Sequence, residues 1–321
     1  MRTEQGRVTT HSRLPVSKVG RGARIRARLW RDRYVYLLLL PGLLYFLVYK
    51  YIPMLGTVIA FKDYSPFLGF SDSPWVGLKH FRTIFEDAEV LQVLWNTLYL
   101  AFLQIAFAFP VPIILALMLN EVRHRAYKRV VQSIVYLPHF LSWVVIISIV
   151  TIFLRSEGLV NKLLGLFGFA PLPFLTEPGF FMPLIVLEVI WKESGWGTVL
   201  FLAALAGVNP QLYEAATVDG ASRLRQIWHI TLPAIRSTIV ILLMLRLGHV
   251  LDSGFEQIFL MLNPFNMEVG NVLDTFVFFK GIEQADYSFA TAVGLFKGLV
   301  GLVLIVLINR LVKRFGEEGL Y

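Results

Sequence analysis

The chain contains no cysteine, which excludes disulfides and thiolate metal sites. It contains no Gly-Lys dipeptide, so it lacks the phosphate-cradling loop that ends in Gly-Lys-Ser or Gly-Lys-Thr and is not expected to bind ATP itself. No HExxH or GxSxG motif occurs. The histidines (His11, His80, His124, His139, His229, His249) are scattered along the chain. No catalytic group, metal or cofactor is therefore expected on this polypeptide. Charge is also scarce: 16% of the 321 residues are charged, against roughly 25% in soluble domains.

Apolar residues make up 56% of the chain. They recur in runs of about 20, the length that crosses a bilayer as helix. The predicted fold is all-α, a polytopic membrane bundle of about six transmembrane helices. Spans are expected near 34–61, 90–119, 130–154, 179–206, 234–262 and 288–308. Pro110 and Pro112 should kink the second span, and Pro138-His139 should interrupt the third. The domain reading is a basic tail (1–33), a first span with its outer loop (34–89), a core of five spans (90–313) and a C-terminal tail (314–321). Within the outer loop, Leu78, Phe81, Ile84 and Phe85 fall on one helical face, as in an interfacial helix.

The net charge of +8 would point to nucleic acid in a soluble protein, but the excess sits in the N-terminal tail, so topology explains it and no nucleic-acid partner is expected. No cleavable signal is evident, because the first apolar run starts late and is long. In this six-span arrangement Lys and Arg number about 20 on the side of the tail and about 6 on the other, which places both termini in the cytoplasm. The tail would lie against anionic membrane lipid.

Residues 208–233 form a polar island. Asn209 can cap a helix with Pro210 at its first position, and Val208 with Tyr213 can staple it. Leu212, Ala215, Ala216 and Asp219 share one side, and Gly220 is placed to end the helix in a left-handed conformation. A second short helix follows, with Leu224, Ile227 and Trp228 on one face, and Pro233 should prevent its simple continuation into the next span.

Ionisable groups inside a bilayer cost roughly 3 kcal/mol or more unless paired or wet. Glu188 and Lys192 are four apart and can pair. Asp252 and Glu256 share a face of the fifth span, with Arg246 about a turn and a half earlier. These groups line a hydrated pathway, form structural ion pairs or sit near helix ends at the interface, and Asp252 and Glu256, near the outer end of their span, could also contact an external partner; spacing leaves these readings open. Trp191, Trp196 and Trp143 offer flat surfaces to a sugar ring, and Asn96, Gln104 and Ser142 offer hydrogen bonds. The pathway candidates are Glu188, Trp191, Lys192, Asp252, Glu256, Asn96 and Gln104.

Glu214-Ala215-Ala216, three residues, Gly220, nine residues and Ile230-x-Leu232-Pro233 resemble the EAA loop of binding-protein-dependent ABC importers. VGLKHF (76–81) is similar to a VGLxNF stretch of sugar permeases, with His80 where asparagine is usual. The segments RDRYVYLLLLPGLLYFLVYKYIPMLG, WKESGWGTVLFLAALAGVNPQLYEAA and GFEQIFLMLNP resemble the carbohydrate, maltose-type branch, closest to oligo- and polysaccharide permeases including alginate-type importers. The resemblance implies a permease subunit in the bacterial plasma membrane whose loop is a cytoplasmic coupling helix. It implies as partners a second homologous permease, two ATP-binding cassette subunits that bind ATP and Mg, and an extracytoplasmic solute-binding protein. Glu214, Ala215, Ala216, Asp219 and Gly220 would contact the ATPase. The alternative is an ion-coupled secondary transporter with intramembrane carboxylates as ion sites.

Overall fold

The computed structural model describes residues 30–314. The arginine-rich tail and the last residues, on which the tail expectations fall, lie outside the described residues. The chain divides into two units, Met1–Gly56 and Thr57–Tyr321. In the first, α1 (Arg33–Phe46) leads through a π turn at Leu47–Tyr51 into Ile52–Leu55. It is apolar around its circumference, as a lipid-facing helix is.

In the second unit α2 (Lys79–Glu86) precedes α3 (Ala88–Leu103), whose first turn is capped by the Asp87 side chain accepting from the Glu89 N–H at 2.8 Å. The expected outward helix is α2. It buries His80 and Ile84 against the bundle and leaves Leu78 and Phe85 exposed. From α3 the chain continues through a π turn at Gln104–Ala108 into α4 (Pro110–Glu121), one span from Ala88 to Glu121. Irregularity is present as expected, but it precedes the prolines. The Phe109 N–H reaches back to the Gln104 carbonyl at 2.9 Å, and the widened turn makes room for proline rings that would strike the carbonyls four residues earlier.

Next come α5 (Arg125–Tyr136), a 3-10 turn at Leu137–Phe140, α6 (Trp143–Leu154) and α7 (Leu159–Leu166). The third crossing therefore begins at Trp143 instead of Val130. Pro138 cannot continue α5, and Ser142 caps a new helix by accepting from the Val145 N–H at 3.4 Å. Then α8 (Pro178–Ala206) packs along α4, and α9 (Pro210–Val218) leaves it at 72°. The segment after the loop, α10 (Arg223–Gln226), runs on as helix through Pro233 to Ala234. It bends by 61° into α11 (Arg236–Gly248) only at Ile235. The helix closes at Ala234, one residue after Pro233, so the second short helix does not continue straight into the next span, as the sequence predicted.

The predicted fifth span is broken. After α11 the chain is irregular through 249–254, with Gly254 at φ +84°, before α12 (Phe255–Met261). Residues 263–287, expected as an external loop, instead send α13 (Leu273–Phe278) into the core, with Leu273 and Phe276 fully buried. The last helix is α14 (Tyr287–Arg314). Among the described residues four helices are long and apolar enough to cross a membrane, or six if each bent pair is one span, and no β-strand is present. The core has three buried clusters, around Leu273 and Phe276, around Ile185 and Ile258, and around Ala116 and Phe201.

Close packing of α8 on α5 requires Gly195: a Cβ there would overlap the Val135 carbonyl. Gly195→Ala should lower the thermal midpoint of the detergent-solubilised protein, by roughly 1–3 kcal/mol of overpacking. Gly294→Ala, where a Cβ meets nothing within 4 Å, should be near neutral. Equal midpoints for the two variants would contradict the packing.

Candidate functional site

Three breaks converge on one cavity of about 460 Å³. The π turn supplies Gln104, the start of α6 supplies Trp143, and the break before α12 supplies Asp252; α8 adds Glu193 and Trp196, and α11 adds Arg246. Irregular backbone at membrane depth is tolerated where it is buried in protein or lines a cavity.

Polar side chains hold these breaks. Lys192 Nζ donates to the carbonyls of His139 and Leu141 at 2.9 and 2.6 Å, closing the end of the 3-10 turn. Its ammonium also lies 5.4 Å from the centre of the Trp143 ring. Glu193 meets His139 Nδ1 at 2.9 Å, and the His139 ring stacks on the Trp196 indole with centroids 5.0 Å apart and 5° between planes. Arg246 donates to Gln104 Oε1. Asp252 pairs with Lys297 at 2.6 Å; Lys297 also donates to Asp274, whose second oxygen accepts from the Ser253 N–H at 3.2 Å. One ammonium thus ties α14 to the start of α13 and to the break in the fifth span.

The sequence candidates separate on this framework. Gln104 and Asp252 line the cavity. Glu188 and Lys192 do not pair. The Lys192 ammonium is drawn to the carbonyls that the break leaves open, and buried Glu188 accepts from Gln257 Nε2 at 2.8 Å. Asp252 and Glu256 do not share a helical face, because the chain is irregular between α11 and α12 and helix resumes only at Phe255. Exposed Glu256 is not among the cavity residues. Trp191 faces a separate apolar groove with Leu187, Ile149 and Phe153. Asn96 is buried away from the cavity, with its amide donating to the carbonyls of Glu268 and Asn271 at 2.8 and 3.0 Å. Gln257, which lines the cavity, was not a sequence candidate: a neutral amide in an apolar run gives no charge signal.

The exposed loop is compact. Asn209 accepts from the Gln211 N–H at 3.0 Å and Pro210 opens α9. Gly220 ends it at φ +76°, while the Ala221 N–H reaches the Ala216 carbonyl at 2.8 Å. Buried Gln226 donates to Thr217 Oγ1 and the Ala221 carbonyl at 3.1 and 3.2 Å, and the Tyr213 and Thr231 hydroxyls lie 3.0 Å apart. Glu214, Ala215, Asp219 and Gly220 stay exposed and Ala216 is half-buried. The family of inner membrane components of binding-protein-dependent transport systems matches residues 108–317, which include this loop and the cavity lining apart from Gln104. The chain belongs to that family. It is 53% identical over 308 residues to Protein LplB of Bacillus subtilis, covering 96% of this chain and 97% of that one. It is 52% identical to the polygalacturonan/rhamnogalacturonan transport system permease protein YteP of the same organism, covering 93% of each. A crystal structure of a bacterial alginate ABC transporter, in complex with an alginate pentasaccharide-bound periplasmic protein, contains a chain 41% identical to this permease. That match has a TM-score of 0.85 and covers 92% of this permease and 100% of that chain.

Removing Lys297 from its two carboxylates should destabilise the bundle. Lys297→Met is expected to lower stability on the order of 2–3 kcal/mol, since it leaves Asp274 unpaired in a mostly enclosed site. Asp252→Asn should cost less than about 1 kcal/mol, because the Asp252 side chain is 57% exposed and water solvates it. Thermal unfolding in detergent measures both, and a larger loss for Asp252→Asn would contradict the assignment.

Proposed function

We propose that this permease forms half of the transmembrane pathway of an ATP-driven importer for an oligo- or polysaccharide. The other half is a second homologous permease, two ATP-binding cassette subunits bind ATP and Mg, and an extracytoplasmic solute-binding protein delivers the sugar. The cavity, which sets charged groups beside two tryptophans, and the likeness to the polygalacturonan/rhamnogalacturonan and alginate systems support a carbohydrate cargo. Family membership favours this reading over the ion-coupled secondary transporter.

One observation carries the coupling role. An exposed, internally braced helix-turn-helix loop bears Glu214, Ala215, Ala216 and Gly220 at the spacing of the coupling motif, and both helices that flank it carry cavity residues. Small residues let a partner approach the backbone, and Glu214 and Asp219 offer it charge. The excess of Lys and Arg around the loop and tails supports a cytoplasmic orientation for the loop and both termini. In the mechanism, ATPase closure draws the two permeases' loops together and opens the cavity outward to the docked solute-binding protein. Reopening after hydrolysis turns the cavity inward. Each ligand shifts the equilibrium only by its differential affinity for the two states.

Gly220 tests this. A Cβ there meets nothing within 4 Å, but the φ of +76° suits only glycine well. Gly220→Ala carries local backbone strain of roughly 1–2 kcal/mol. Gly220→Leu adds bulk that only a partner can feel. In the reconstituted complex, Gly220→Leu should cut sugar-stimulated ATP hydrolysis at least about tenfold beyond Gly220→Ala, equivalent to about 1.4 kcal/mol, with membrane insertion intact. Equal stimulation in the two variants would count against the coupling role.

A further inference from the structure

The charges around the cavity are unequally matched. Glu193 has His139 at 2.9 Å and Lys192 at 3.9 Å, and Asp252 has Lys297 at 2.6 Å. Arg246 has no carboxylate at ion-pair distance among the described residues; its partner is the neutral amide of buried Gln104. A guanidinium carries five N–H donors in a planar fork, so one amide oxygen leaves most of that fork unused. Arg246 is only partly buried and opens on the cavity. Trp143 and half-exposed Trp196 stand in the same lining. A flat aromatic wall beside a guanidinium suits one class of sugar unit: a pyranose whose C–H face lies on an indole and whose carboxylate accepts two parallel N–H bonds. A neutral hexose would leave the fork without an anion.

We propose that Arg246 binds the carboxylate of an acidic sugar unit in transit, so that this permease selects uronate-bearing oligosaccharides. The inference rests on the oligosaccharide reading above and adds the chemical class and the residue that reads it. Glu193 acts on the Arg246 charge from beyond ion-pair distance while its carboxylate meets His139, and Asp252 is held by Lys297, so the fork of Arg246 stays open to a ligand anion.

The test uses the whole complex in proteoliposomes with its solute-binding protein, and two probes of equal length: an oligogalacturonate and its carboxyl-reduced counterpart. The readout is the ratio of their uptake rates. The unaltered complex should favour the acid. Arg246→Gln should lower that ratio about tenfold or more, the effect of losing a charge-assisted pair, and Arg246→Lys should retain part of it, since a point charge replaces the fork. If both rates fall in proportion in Arg246→Gln, the residue is structural and the proposal is wrong. It is also wrong if the ratio does not change. Uptake of the reduced probe alone by the unaltered complex would leave the sugar reading standing and overturn this one. Uptake of neither probe would sink both.

Discussion

The bundle depends on the side chains that reach across it to satisfy broken backbone. An apolar interior gives no water to an open carbonyl or amide, so each interruption of a helix needs a partner from elsewhere in the chain. Lys192 on α8 supplies it to the turn before α6. Asn96 and Thr97 on α3 do the same for the approach to α13, where Thr97 Oγ1 accepts from the Leu273 N–H at 2.9 Å. Asp274 on α13 receives the Ser253 N–H in the break before α12. These polar groups resemble substrate ligands in sequence, yet several of them are the fastenings that allow irregular segments to meet at the cavity.

That arrangement couples geometry to function. Helix α8 carries Glu193 and Trp196 at the cavity and ends a few turns later at the exposed loop. The run from Arg223, bent at Ile235, leads from the same loop back to Arg246. Displacement of the loop by a partner would therefore be transmitted along two helices to opposite walls of one cavity. The internal braces of the loop, Gln226 to Thr217 and Tyr213 to Thr231, keep it from absorbing that displacement by deforming. Rigid elements with two packings convert small shifts into larger ones more readily than flexible segments do.

Much of this was legible in the sequence where the signal is local. The caps at Asn209 and Gly220 depend on neighbouring residues, and the loop forms as its residues dictate. The interruption at Pro138 also follows from a missing N–H. What depends on distant partners was not legible. Glu188 and Lys192 have the spacing of an ion pair, but Gln257 and two open carbonyls compete for them more effectively. The break at 249–254 falls where the run turns polar, at His249, Asp252, Ser253 and Gly254, a local signal that the reading of one straight span from 234 to 262 passed over. The entry of 273–278 into the core is fixed by Thr97 and by packing against α14, neither of which is near in sequence. Arg246 stood out as a charge in an apolar run, but its place in the cavity lining required the fold.

The central claim is that the loop at 208–233 seats on a nucleotide-driven subunit in the cytoplasm. The chain lacks cysteine, so Val218→Cys, at a side chain 88% exposed on that loop, introduces a unique thiol. A short bifunctional thiol-to-amine reagent applied to inside-out membranes containing the whole complex should cross-link this position to an ATP-binding cassette subunit, with a yield that changes when ATP is added. Labelling of the thiol by an impermeant reagent in intact cells, with no cross-link from the inner side, would contradict the account.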